Sequence, residues 1–128
     1  MNYINTHILK NGEYGKLKYY VTPGALDTLN GYVELPDYWE NGKEDNLNVY
    51  GGITFKGYLN DEGKNVRVIG FDTLHLDLDK PEKEWTIDDI EKECRHLVDE
   101  INRIADKSPL KDWFMWKQDR KLRSALFY

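Results

Sequence analysis

The segment EWTIDDIEKECRHLVDEINRIADKSP, Glu84 to Pro109, constrains the fold more than any other part of the chain. Ile87, Ile90, Cys94, Leu97, Val98, Ile101 and Ile104 recur at spacings of three and four, which places them on one face of a helix. Thr86, with Asp89 three residues on, supplies an N-cap and its reciprocal acid, so the helix starts just after Thr86. At about 1.5–3 kcal/mol for each fully buried side chain, such a stripe demands a sheet or a second helix beneath it. The opposite face, with Glu91, Lys92, Arg95, Asp99 and Asn102, reads as solvated surface.

A sheet is available. LNVYGGITFKGYL (Leu47 to Leu59), NDEGKN and VRVIGFDTLHL (Val66 to Leu76) read as strand, turn and strand. With the turn centred between Glu62 and Gly63, opposed residue numbers sum to about 125. Tyr50 then faces His75, Ile53 faces Asp72, and Phe55 faces Gly70. Alternation puts Val49, Gly51, Ile53, Phe55, Val66, Val68, Gly70, Asp72, Leu74 and Leu76 on one side, expected to be the core face under the helix. Tyr50, Thr54, Lys56, Tyr58, Arg67, Ile69, Phe71, Thr73, His75 and Asp77 fall on the other. KLKYYV (Lys16 to Val21) and GYVEL (Gly31 to Leu35) add two strands, joined by about eight to ten turn-rich residues. Ser108-Pro109 reads as the start of a short C-terminal helix.

The expected fold class is therefore α+β: an antiparallel sheet of four to five strands, a long amphipathic helix on one face and a short C-terminal helix. With 128 residues there is room for one core, so residues 1–107 form the body of a single domain and 108–128 its tail. An apolar content of 40% with 13% aromatics excludes a disordered chain. No run approaches the ~18 apolar residues of a membrane span, and MNYINTHILKNGEYG lacks an apolar leader, so no membrane partner is expected and the cytoplasm is the expected location. The single cysteine, Cys94, excludes an internal disulfide and a cysteine-based zinc site within one chain. On the apolar helix face it reads as a packed thiol.

Chemistry concentrates in VIGFDTLHLDLDKP, where Asp72, His75, Asp77 and Asp79 fall close together. Along a straight strand His75, Asp77 and Asp79 share one face and Asp72 lies on the other, so only a bulge or a strand end brings all four together. A carboxylate on an apolar face needs a partner, which makes Asp72 the residue to explain: a turn or helix-end amide, an arginine, or a role as base or ligand. No metal and no cofactor is assigned. Gly51-Gly52 in a strand suggests a bulge or the close approach of a ligand or of the helix. In the polar loop Pro36 to Asn46, Trp39 forms either a binding lip or a cover for the core edge. The tail interleaves Trp113 and Trp116 with five Lys/Arg against two Asp/Glu over residues 111–128, whereas residues 1–110 carry 13 against 21. Nucleic acid would thus be repelled by the body and attracted only by 111–128, and the same aromatics could join two copies as a homodimer.

The order GYVELP, NVYGGITFKG, VIGFDTLH and a helix bearing ECRHLVDEI resembles a family of small phage proteins with Gly-Tyr-Val-x-x-Pro, His-Gly-Gly-x-Thr, Gly-Phe-Asp-x-x-His and Glu-Cys motifs. The resemblance spans about Tyr14 to Ala105. Carried across, its shared positions are Gly51, Gly52, Thr54, Gly70, Phe71, Asp72, His75, Glu93 and Cys94, with Tyr50 where the family has histidine. It implies a phage origin. The expected function is non-enzymatic: an accessory protein that counters a bacterial defence in the infected host cytoplasm. It would bind a host defence protein or a small nucleotide signal through Tyr50, Gly51, Gly52, Thr54, Phe71, Asp72 and His75 and the aromatics Trp39, Trp113 and Trp116. The alternatives are a small metal-dependent or acid-base hydrolase using Asp72 and His75, and a nucleic-acid binder acting through the tail.

Overall fold

The computed structural model describes residues 2–49, 52–74 and 85–106. The expectations placed on Tyr50, Gly51, His75, Asp77, Asp79, Trp113, Trp116 and the C-terminal helix lie outside them. The strands are β1 (Tyr3–Ile4), β2 (Lys10–Tyr14), β3 (Leu17–Pro23), β4 (Leu29–Glu34), β5 (Phe55–Asp61) and β6 (Lys64–Asp72), followed by helix α1 (Ile87–Ala105). They form one sheet in the order β1-β5-β6-β4-β3-β2. Every pairing is antiparallel except β1 with β5, so the sheet is mixed and six-stranded, where four to five antiparallel strands were expected. The two extra strands come from the N-terminal stretch, where KNGEY has almost no buried residue and hence no apolar alternation to announce it.

The central hairpin has the expected register, with Phe55 opposite Gly70 and Asp61 opposite Lys64. Glu62 and Gly63 both take positive φ, 49° and 89°, as a two-residue type I′ turn requires. Glutamate is ill suited to that conformation and asparagine tolerates it. Glu62→Asn is expected to stabilise the protein by about 0.5–1 kcal/mol, read as a higher urea midpoint at unchanged slope. The upward strand is shorter than expected, starting at Phe55 rather than Leu47. The Gly52 N–H donates to the Val49 carbonyl at 2.9 Å and Gly52 has φ 82°, so the chain turns there instead of running on as a strand. A Cβ at Gly52 would meet nothing within 4 Å, so α1 does not approach it and no close packing by the described residues requires a glycine there.

Helix α1 begins with the predicted capping box: Thr86 Oγ1 accepts from the Asp89 N–H, and the Asp89 carboxylate accepts from the Thr86 N–H. Its stripe Ile90, Cys94, Leu97, Val98, Ile101 and Ala105 is buried against Leu17, Tyr19, Val21, Val33, Ile69 and Phe71. The helix therefore covers the Ile69/Phe71 face of β6, which corrects the expectation that Val68, Gly70 and Asp72 lie beneath it. The residues VIGF, Val68 to Phe71, are apolar on both sides of the strand, and both sides are buried. Tyr20, Tyr32, Leu59 and Val68 form a second core on the far side, flanked by Ile4, Ile8, Phe55 and Val66.

That second core exists because the sheet coils. The Tyr20 hydroxyl of β3 donates to the Asp61 carboxylate at the end of β5, 2.8 Å away, although β4 and β6 lie between. Three strand spacings, about 14 Å in a flat sheet, exceed what these two side chains can bridge. The twist therefore curls β5 and β6 toward β3 around the tyrosines. The chain from Ile4 to Lys10 runs from one edge of the sheet to the other, and Ile8 packs on the second core on the way. No helix among the described residues is long and apolar enough to cross a membrane.

Candidate functional site

The positions singled out by motif separate into two groups once the fold is known. Phe71 is 1% exposed and Cys94 is fully buried, and they meet between sheet and helix at Gly31. A Cβ on Gly31 would lie 2.5 Å from Phe71 Cζ and 3.0 Å from Cys94 Sγ, so the missing side chain is the space the ring and thiol occupy. Burial pushes the Cys94 thiol pKa up, which leaves it a packing group rather than a nucleophile. Gly70 plays the same part on the other face, where a Cβ would lie 2.5 Å from the Tyr32 ring. Phe55 meets that ring edge-on at 5.5 Å.

Trp39 also belongs to the core. It is 6% exposed, and its indole Nε1–H donates to Glu44 Oε2 at 3.1 Å. Glu44 is itself buried and accepts from the Gly42 N–H and from Lys56 Nζ at 3.1 Å. Burial alone would raise the Glu44 pKa, but its hydrogen bonds from backbone, Trp39 and Lys56 outweigh that and hold it below the usual carboxylate range. Arg67 ties the same loop to β6 by donating to the Trp39 carbonyl and to Asn41 Oδ1. The loop's aromatic is thus a cover for the core edge.

The second group gathers at one end of the sheet. Asp72 ends β6 opposite Asn30, which is itself opposite Thr22. Thr54 reaches the same end, its N–H donating to the Gly70 carbonyl at 2.9 Å, with the exposed Gly52 just before it. Asp72 faces the second core and not the helix. Its Oδ1 accepts from the Leu74 N–H at 3.1 Å, so among the alternatives for this carboxylate a turn amide is the partner present. Beside it, Thr73 Oγ1 donates to the Leu29 carbonyl at 2.9 Å and accepts from the Leu29 N–H at 3.3 Å, fastening β4 to the chain beyond β6. Tyr32 completes the patch: burial pushes its phenol pKa up, while hydrogen bonding with Asn30 and Thr22 works the other way. Among the described residues no three His, Cys, Asp or Glu side chains come together as a metal site would require, and His75 lies outside them.

The β3–β4 connection crowns this end. It is five residues long, Gly24 to Thr28, where eight to ten were expected. Leu26 at its tip is 82% exposed and left-handed, φ 52° and ψ 47°, and Asp27 follows with φ 61°. Leu74 is exposed nearby. Nothing in the sequence pointed to Leu26, since ALDT reads as an ordinary turn and left-handed leucine has no local signature.

Of the helix residues expected to be solvated surface, Lys92 and Asp99 are exposed, whereas Glu91 is buried. Glu91 of α1 is 5% exposed and accepts from the Tyr19 hydroxyl at 2.6 Å and from Lys10 Nζ at 2.9 Å. The Tyr19 ring reaches it across Gly12 of β2, where a Cβ would lie 2.5 Å from the hydroxyl. Tyr14 with Asp99, and Asn102 with the Gly15 carbonyl, extend the same seam. Every strong acceptor in it is matched by a donor, which marks a fastening between helix and edge strand. Set against known protein families, curated proteins and solved structures, the chain matches none.

Proposed function

We propose that the chain is a non-enzymatic binding protein that engages another protein through the sheet end carrying Gly52, Thr54 and Asp72. We further propose that it serves a bacteriophage in the infected cell by occupying a host defence protein. The observation that carries the binding reading is the state of Asp72. Through Oδ1 this carboxylate caps the turn into Leu74, a use that holds the surface in shape and needs no reaction. The same end carries Asp27 and Asp72, and none of residues 24–30, 52–54 or 70–74 is Lys, Arg or His. Such a surface repels phosphates, which favours a protein over a nucleotide signal. The phage setting rests on the order of motifs from GYVELP to ECRHLVDEI.

The test uses the purified full chain in two arms. Immobilised chain is exposed to bacterial lysate, and free chain is melted with a panel of cyclic and ADP-ribose-type nucleotides. Capture of a defence component, with restored phage plating on cells that express both, is the expected result. A nucleotide that raises Tm moves the function to a small signal, and silence in both arms overturns the proposal. Asp72→Asn keeps an acceptor for Leu74, so its Tm is expected to stay within about 2 °C of wild type.

A further inference from the structure

Two consecutive non-glycine residues in the left-handed region are an uncommon and unfavourable backbone choice. Here they sit at the tip of a loop that is otherwise tightly held: the Gly24 N–H donates to the Thr28 carbonyl at 2.8 Å, the Thr28 N–H to the Ala25 carbonyl at 3.1 Å, and Thr28 Oγ1 to the same carbonyl at 2.5 Å. Packing does not explain the choice, because Leu26 is 82% exposed and no residue of this short helical turn is buried. Glycine or asparagine would hold the turn with less strain. The chain instead holds out, on this hydrogen-bonded loop, the most exposed large apolar side chain among the described residues. Strain that the fold does not need is characteristic of positions used in recognition.

Resting on the binding reading above, we infer that Leu26 is the anchor of the interface and enters an aliphatic pocket, rimmed by Lys or Arg, on the protein partner. A few side chains seated in desolvated pockets carry most of an interface's energy, and a rigid presenter loses little entropy on docking. Charge selects the rim. Asp27 adjoins the anchor and Asp72 stands at the neighbouring strand end, neither in an ion pair among the described residues. Residues 24–30, 52–54 and 70–74 contain no Lys, Arg or His, and residues 1–110 carry 13 Lys/Arg against 21 Asp/Glu. Leu74, 37% exposed, extends the apolar contact beside the acids. An acidic or phosphate-bearing partner meets repulsion on this surface, and a basic-rimmed one meets attraction that salt weakens.

The experiment separates the anchor from the fold by its sign. Wild type, Leu26→Gly and Leu26→Met are compared by thermal melting and as baits for a displayed library of random cyclic peptides and for bacterial lysate. Leu26→Gly relieves the left-handed strain, so its Tm is expected to equal or exceed wild type by up to about 4 °C. Its affinity for the selected peptides is expected to fall about 30-fold or more, while Leu26→Met stays within about threefold of wild type. Selected sequences are expected to combine Lys or Arg with Leu, Ile, Phe or Trp and to release as salt rises. A Tm loss above about 3 °C in Leu26→Gly would make the leucine structural and overturn the inference. So would acidic peptides, an empty selection, or peptides held equally by Leu26→Gly. A host protein captured equally by wild type and Leu26→Gly removes the anchor but leaves the binding function standing, whereas no capture by either removes both.

Discussion

Phe71→Ala is expected to cost about 3–5 kcal/mol, lowering Tm by roughly 10–20 °C, because the ring is 1% exposed and sits at the centre of the helix–sheet contact. The more searching measurement pairs it with Gly31→Ala. In the wild-type background a methyl at position 31 would lie 2.5 and 2.7 Å from Phe71 Cζ and Cε1, and 3.0 Å from Cys94 Sγ. Overpacking of that kind costs about 1–3 kcal/mol, since neither the sheet backbone nor the buried helix can give way. Once Phe71 is alanine the main obstacle is gone and the methyl partly fills the cavity. Gly31→Ala should then be nearly neutral or mildly stabilising. The two changes are thus expected to be non-additive by at least about 1 kcal/mol, read from urea midpoints of the four proteins. Strict additivity would mean that Gly31 is not glycine on account of the ring, and would reopen a surface role for Phe71.

Glu91→Ala is expected to cost about 2–3 kcal/mol, or roughly 6–15 °C in Tm. Two interactions enter that estimate, and they are not equal. Lys10 is half exposed, so its ion pair with Glu91 is screened and adds little, and Lys10→Ala should cost the least of the changes at this contact. The Tyr19 hydroxyl, in contrast, donates to the buried carboxylate at 2.6 Å and loses that partner when the carboxylate is removed. Tyr19→Phe should therefore cost more than Lys10→Ala, and Glu91→Gln, which keeps an acceptor, should cost less than Glu91→Ala. The acidity follows from the same contacts. Tyr19's hydrogen bond, then Lys10, hold the Glu91 pKa below the usual carboxylate range against the opposing effect of burial.

The sign of the pH dependence is then determined. A carboxylate whose pKa is lower folded than unfolded contributes its full stabilisation above the unfolded value, about 4.3, and loses it as pH falls through the folded one. Wild type should lose Tm steadily as pH drops below about 5, and Glu91→Gln should lose less, so that the two curves converge in acid. Parallel curves would show that the carboxylate charge takes no part in holding β2 to α1.

The legible part of the fold was the part written in local repetition. The stripe from Ile87 to Ile104, the Thr86 cap and the Glu62-Gly63 turn each depend on neighbours within a few residues, and the hairpin register followed from the turn alone. β1 and β2 were not legible. Two residues paired in parallel with β5, and an edge strand reading KNGEY, take their conformation from the strands beside them. Glu91 reads differently in the fold: three residues before Cys94 and seven before Val98 it lies at the margin of the apolar stripe, and Tyr19 crosses Gly12 to meet it there. The candidate site was half legible. Asp72 was singled out from sequence and its turn amide was among the alternatives, whereas Leu26 became conspicuous only through its backbone angles and exposure.

By itself, then, the sequence determined that this chain builds a helix of defined start and apolar face, and a hairpin of defined turn and register, because those depend on short-range periodicity and capping. Which side of the hairpin meets the helix was left to the tertiary structure. VIGF is apolar on both sides, and the choice fell when Tyr20, Tyr32 and the N-terminal isoleucines filled the coiled face and left Ile69 and Phe71 for the helix. That choice placed Asp72 at the open sheet end instead of beneath α1, and it set the strained loop of Leu26 beside it.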